Sequence, residues 1–287
     1  MVILTIKTKV AIIVPEKDQA AQAMWKVVNQ QSLFKETEEI FDDNPVYSLV
    51  KDSNNIKVIH SKRDGVESNH LDKEINAELY IFASRHRAAS GTPALLIHPT
   101  GNWSKITLAG RESELSYTSS WALNFGLRKL KQKQVEFNLD LFKVDLEVTH
   151  HGPTKLATPH IFMELGSSEE YWVHETGATA VIEAIIETAQ AFIKRGNFKN
   201  QSYIGIGGNH YAYRFHKYLM ENEDVFISHI AAKHSLDDLT EDVLKQAFDK
   251  TIESPIGALI DKKGARSEQR KNAVEMLESL GKEHMFI

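Results

Sequence analysis

Four histidines, His98, His150, His151 and His210, stand where short apolar runs break at glycine or proline. Together with Glu147 and Glu164 they are the residues best placed to do chemistry. The runs are ALLIHPTGN over 94–102, VDLEVTHHGPT over 144–154 and SYIGIGGNHYA over 202–212, and a fourth, IFASRH over 81–86, ends in Arg85 and His86. Imidazole and carboxylate groups exchange protons near neutral pH and ligate metal ions. The chain has 13 His and 0 Cys, which excludes disulfides, thiolate nucleophiles and Cys-based zinc sites together. Neither a GxSxG elbow nor an HExxH helix is present. Water is therefore the expected nucleophile. The catalytic candidates are His98, Glu147, His150, His151 and His210, acting through a His or Glu base or through a metal held on His150, His151, His210 and a carboxylate such as Glu147 or Glu164.

Spacing constrains these groups further. On a regular strand Glu147, Thr149 and His151 share one face and His150 takes the other. A turn at Gly152 and Pro153 is needed to bring both histidines into one site. Gly205, Gly207 and Gly208 permit close backbone approach, and the amides of residues 207–210 offer an oxyanion hole or a phosphate nest. The glycine run lacks the last glycine of GxGxxG and is no dinucleotide fingerprint. Substrate-binding candidates beside these runs are Arg85, His86, Thr100, Asn102, Thr154, Gly207, Gly208 and Tyr211. A basic stretch, KKGARSEQRK over 262–271, sets Lys263, Arg266 and Arg270 at a strand-to-helix junction suited to a polyanion. By contrast, RKLKQK over 128–133 reads as the solvated end of a helix.

The elements that must position these residues alternate along the chain. Apolar runs predict strands over 10–14, 56–60, 78–83, 94–98, 143–149, 161–165, 202–206, 225–230 and 257–260. Helices are expected over about 17–30, 117–134, 177–194, 213–221, 240–251 and 267–281. That alternation implies an α/β fold with a mixed, mostly parallel sheet flanked by helices, and the strand ends would bring the site residues to one sheet edge. The 287 residues read as a single α/β catalytic domain over 1–287, with the more polar segment 32–73 as an N-terminal insertion or lid. Net charge is −5, so only a local patch would bind nucleic acid. No targeting or membrane-spanning segment is read from the sequence, which gives a cytoplasmic protein without an evident protein partner.

In combination SRHR, HPTGN, EVTHHGPT, ELGSS followed by Trp172, and GGNHYAYRF resemble the archaeal and plant type of D-aminoacyl-tRNA deacylase. The resemblance runs from roughly Leu71 to Arg270. It implies a phosphorylase-like α/β fold related in outline to peptidyl-tRNA hydrolase. It further implies hydrolysis of the ester between a D-amino acid and tRNA, and a zinc requirement. By matching positions it assigns His98, Thr100, Asn102, Glu147, His150, His151, Thr154, Glu164, Gly208, His210 and Tyr211 to the site. Asn209 and Tyr213 depart from the glycine and proline usual there. On this view His151 or His150, oriented by Glu147, activates water while amides near Gly208 and His210 hold the oxyanion. Rival readings are a metal-dependent peptidase or amidohydrolase acting on a small substrate, and a non-catalytic RNA- or nucleotide-binding module.

Overall fold

Apolar strands, most of them buried on both faces, pair into two main sheets, with two further two-stranded pairs. A computed structural model of the protein describes residues 5–52, 55–106, 108–196 and 201–287. The larger sheet contains β1 (Val10–Pro15), β2 (Phe34–Phe41), β3 (Asn44–Leu49), β4 (Ile56–Ser61), β5 (Leu79–Arg87), β6 (Ala94–His98), β7 (Lys143–Leu146) and β8 (His160–Ser167). Its eight strands run in the order β7-β6-β8-β5-β1-β4-β3-β2. Pairing is parallel except between β6 and β8 and in the β2-β3-β4 meander. The smaller sheet is parallel throughout, with β9 (Gln201–Ile206) between β10 (Val225–Ala231) and β11 (Gly257–Ile260), and β12 (Glu283–Phe286) beyond β11.

One face of the large sheet is largely apolar. Ile12, Ile81, Ile97 and Met163 there pack against α1 (Gln19–Gln30), α2 (Ser120–Glu136) and α3 (Glu175–Lys194). Each helix is started by a side chain that accepts a backbone amide: Asp18 from Ala21, Ser119 from Ala122 and His174 from Gly177. The same core takes in Phe215 of α4 (Tyr213–Glu221) and Ile227 of β10, so it joins the two sheets. A second core lies between the small sheet and α5 (Glu241–Asp249) and α6 (Ser267–Ser279), where Ile206, Leu244 and Leu277 meet.

The other face of the large sheet has an apolar half and a polar half. Tyr80, Phe82 and Phe162 are buried there with Leu71 and Ile75, and the registered positions beyond them carry Ser84, Glu164 and His86. The segment 32–73 is built into this architecture. Within it β2, β3 and β4 extend the large sheet, and the short helical turn Leu71–Lys73 buries Leu71 on the same face. The polar edge hairpin escapes the apolar pattern because β2 buries only Phe34 and Phe41.

Phe162 links the apolar half to the polar half. It stacks on Phe82 with centroids 4.4 Å apart, and on His98 at 5.5 Å. Phe162→Ala should cost about 3–5 kcal/mol in urea unfolding, the usual range for emptying a buried aromatic position. A loss below about 1 kcal/mol would show that this stack is not part of the core.

Candidate active site

Strand direction decides how the polar side chains meet. Because β5 and β6 run in opposite directions, their C-terminal ends lie at opposite edges of the sheet. The expected convergence at one edge therefore does not occur. The residues meet on the sheet face, around Glu164 in the middle of β8. Its Oε2 lies 3.2 Å from His86 Nδ1 and its Oε1 3.5 Å from His98 Nε2. Past Leu146 the chain leaves β7, and Val148 N donates to His210 O at 3.0 Å while Ala212 N donates to Leu146 O at 2.8 Å. These bonds fasten the 147–151 segment to the small sheet and place Glu147 at the junction. His210 Nε2 is 3.0 Å from Glu147 Oε1, and His86 Nδ1 is 3.6 Å from the same oxygen.

The paired histidines both reach the site. The segment makes only isolated bridges after Leu146, and His151 takes φ 44°, a left-handed conformation that turns the chain before Gly152. Ring centroids are 4.2 Å apart for His98 and His150, 4.5 Å for His150 and His151, and 4.6 Å for His150 and His210. Three of the rings are held the same way. Nδ1 lies 3.1 Å from Pro99 O in His98, 2.8 Å from Val148 O in His150 and 2.6 Å from Gly152 O in His151. A carbonyl only accepts, so each Nδ1 carries the proton, and a neutral ring then has its lone pair on Nε2. Backbone carbonyls, not Glu147, orient His150 and His151.

Burial and neighbouring charge set opposite protonation states within this small space. Burial, reinforced by His98, holds His151 down to about 3. Burial and the adjacent imidazoles of His98, His151 and His210 push His150 well below its ordinary value. Both stay neutral at pH 7. Burial also opposes charge on His86 and His98, but Glu164 and Glu147 outweigh it, so both are raised above their ordinary value. Glu164 is raised by burial, yet those two imidazoles hold it well below the usual carboxylate range.

Glu147 differs from Glu164. It is fully buried, and neither of its oxygens has a hydrogen-bond partner among the described residues; nor has Nε2 of His98. Unsatisfied buried acceptors beside several imidazoles are donor chemistry that a divalent cation takes. Potential ligand atoms lie within 4.8 Å of one another in three groups: His98, His150 and His151; Glu147, His150 and His210; and His86, Glu147 and Glu164. The residues fit a metal. The carboxylate grouped with His150 and His210 is Glu147, whereas Glu164 groups with His86, so the expected set of His150, His151, Glu164 and His210 is divided between groups.

Several other expected site residues have their polar groups occupied by the protein. Thr100 Oγ1 contacts Ser116 Oγ, Pro153 O and His160 Nε2, and Asn102 Nδ2 donates to Ala109 O and Arg111 O. Thr154 Oγ1 donates to Glu114 Oε2. These three tie down the loops around the site. Arg85 lies on the far face of β5, against Asp64 and Asp18. Gly207 and Gly208, at φ 108° and 85°, form the turn before His210, but their amides donate to Ala231 O and Gly264 O. They are not oxyanion donors; the amides of Asn209 and His210 are what that turn retains. Arg266 is paired with Asp237, and Arg270 donates to the carbonyls of Lys262 and Ala265. Of the basic stretch, Lys263 lines a cavity of about 420 Å³ beside Gly208, together with Arg214, which lies within the GGNHYAYRF run, and Lys233, which no motif in the sequence marks. Lys233 follows the end of β10, a strand-end position that could have revealed it.

The fold and site define a mixed α/β protein with a buried histidine–carboxylate centre able to hold a metal. The chain belongs to the D-aminoacyl-tRNA deacylase family, whose model matches residues 73–285. It is 32% identical to the D-aminoacyl-tRNA deacylase of Pyrococcus horikoshii over 95% of this chain and 97% of that protein. It is likewise 32% identical to the enzyme of that name from Methanosarcina acetivorans over 96% of this chain and 91% of the other. A crystal structure of a conserved protein of unknown function superposes with a TM-score of 0.85 at 25% identity, covering 99% of this chain and 96% of that one. Among the described residues no helix is long and apolar enough to cross a membrane.

The depressed histidines make acid stability a test of the packing. His151 and the structural His229 both fall to about 3 in the folded protein, against 6.5 when unfolded. The unfolded chain then binds more protons below pH 6.5, so acid favours unfolding. The raised His86 and His98 contribute a constant amount in that range. Between pH 6.5 and 4.5 stability should drop by about 2–3 kcal/mol per depressed histidine, and His229→Gln should flatten the slope. A urea midpoint independent of pH over this window would contradict the buried neutral assignment.

Proposed function

We propose that the protein hydrolyses the ester of D-aminoacyl-tRNA in the cytoplasm, releasing D-amino acid and tRNA. The observation that carries the reading is the buried Glu147, without hydrogen-bond partners, facing His210, His150 and His98. An aminoacyl ester is activated compared with a peptide, so a positioned water, a base, an acid and oxyanion donors suffice. Water held between Glu147 and His150 attacks the ester carbonyl, and the Glu147 carboxylate takes its proton. The amides of Asn209 and His210 face the developing oxyanion. As the carbon–oxygen bond breaks, the ribose oxygen takes a proton from Tyr211, whose hydroxyl is 3.2 Å from His86 Nε2. Burial and the nearby carboxylates keep Tyr211 protonated, and the charged His86, backed by Glu164, restores its proton.

Glu147, His150 and His210, or His98, His150 and His151, are the residues that would hold zinc. When bound there, zinc supplies Lewis acidity for the carbonyl and lowers the pKa of coordinated water. Lys263, Lys233 and Arg214 supply the local basic edge for the tRNA backbone, which a net charge of −5 does not provide elsewhere. A kinship of the fold with phosphorylases and peptidyl-tRNA hydrolase belongs to the same proposal. No observation favours the peptidase or the non-catalytic module.

His151→Ala and His210→Ala should each lower D-aminoacyl-tRNA hydrolysis at least about 100-fold while the circular dichroism spectrum is retained. Chelation should do the same to the unmodified protein, with zinc restoring activity. Near-normal turnover in both variants would overturn the site assignment, and full activity in metal-free protein would reduce the histidines to acid–base and binding roles.

A further inference from the structure

A second cleft of about 390 Å³ adjoins the site on the same face of the large sheet. Ala94 and Leu96 form its floor. They alternate with the core-facing Leu95 and Ile97 and so share a face with His98. Asp145 is in register with Leu96 and precedes Glu147 by two residues. The floor therefore lies one pleat, about 7 Å, from His98 and Glu147. Tyr211 is the wall common to cleft and catalytic centre, since it lines the cleft while its hydroxyl meets His86. Tyr213 is the other aromatic wall. It is 67% exposed and stacks on no other ring among the described residues.

The polar lining is Ser90, Thr92, Lys143 and Asp145, of which Asp145 is the one carboxylate. Asp145 Oδ1 accepts from Leu146 N and lies 3.0 Å from His216 Nδ1, while Oδ2 has no partner among the described residues and remains an acceptor. Two aromatic rings, an apolar floor and a carboxylate acceptor suit a flat heteroaromatic ring bearing an exocyclic amine. In an aminoacyl-tRNA the amino acid is esterified to the ribose of a terminal adenosine, so a single sugar separates the scissile ester from an adenine. The spacing of cleft and catalytic centre matches that separation.

We propose that this cleft binds the adenine of the terminal nucleotide, with the base against Tyr211 and Tyr213 and its amine toward Asp145. The inference rests on the deacylase reading and adds the recognition of the leaving group. A D-amino-acid side chain is the competing occupant. It leaves the aromatic pair and the acidic acceptor without a constant task, whereas the adenine is the same in every substrate.

The test compares kcat/KM for D-tyrosyl-adenosine with that for the matching D-tyrosyl ester of 1-O-methylriboside, which lacks the base. The unmodified protein should prefer the adenosyl ester at least about ten-fold, and AMP should inhibit competitively. Tyr213→Ala should collapse that preference about ten-fold through KM, and Tyr213→Phe should keep it. Equal rates for the two esters, a Tyr213→Ala effect common to both, or a preference that follows amino-acid size would each overturn the inference while leaving the deacylase reading intact. A protein that hydrolysed neither ester nor D-aminoacyl-tRNA would defeat that reading, and this inference with it.

Discussion

The rest of the site is arranged around a carboxylate that the protein buries without satisfying it. Glu147 is fully buried, its oxygens lack hydrogen-bond partners among the described residues, and it sits where the large sheet is fastened to the small one. A polar group in that position costs several kcal/mol unless something compensates. The compensation comes from imidazoles at 3.0, 3.6 and 4.0 Å, those of His210, His86 and His98. Such an arrangement has no structural advantage over a well-packed apolar group. It makes sense as a place prepared for a cation, a water molecule or a reacting group.

The sheet topology makes this arrangement rigid. A single antiparallel neighbour, β8 beside β6, brings a mid-strand glutamate between histidines from strands of opposite direction. Glu164 thereby belongs to the protonated side, with His86 and Tyr211, and Glu147 to the neutral side, with His150. Two glutamates of the same type take different roles because Glu164 is hydrogen-bonded by His86, whereas the oxygens of Glu147 have ion-pair neighbours but no hydrogen-bond partner among the described residues. Backbone carbonyls beneath three of the rings fix their tautomers, so the selection of Nε2 is built into the main chain at Pro99, Val148 and Gly152.

Much of this was legible in the sequence, and the remainder was hidden for physical reasons. Apolar runs located β1, β5, β6, β8, β9, β10 and β11 because those strands are buried on both faces. β2 and β12 escaped because edge strands show solvent a polar or mixed surface. The histidine cluster could be read from residues that break strands. Their convergence on a face, not an edge, depends on the β6–β8 direction, which no local pattern encodes. The same limit hid the internal contacts of Thr100, Asn102 and Thr154. Small polar residues in a loop look alike whether they contact substrate or anchor the loop, and here they anchor it. The pairing of Arg266 with Asp237 was hidden for a related reason, since the two lie 29 residues apart in sequence.

Glu147→Gln probes the central claim most directly, because it removes the charge and keeps the shape. Turnover of D-aminoacyl-tRNA should fall by about 100-fold or more, while the urea midpoint holds or rises as a buried charge is lost. Turnover within about two-fold of the unmodified protein, with the fold intact, would contradict the account.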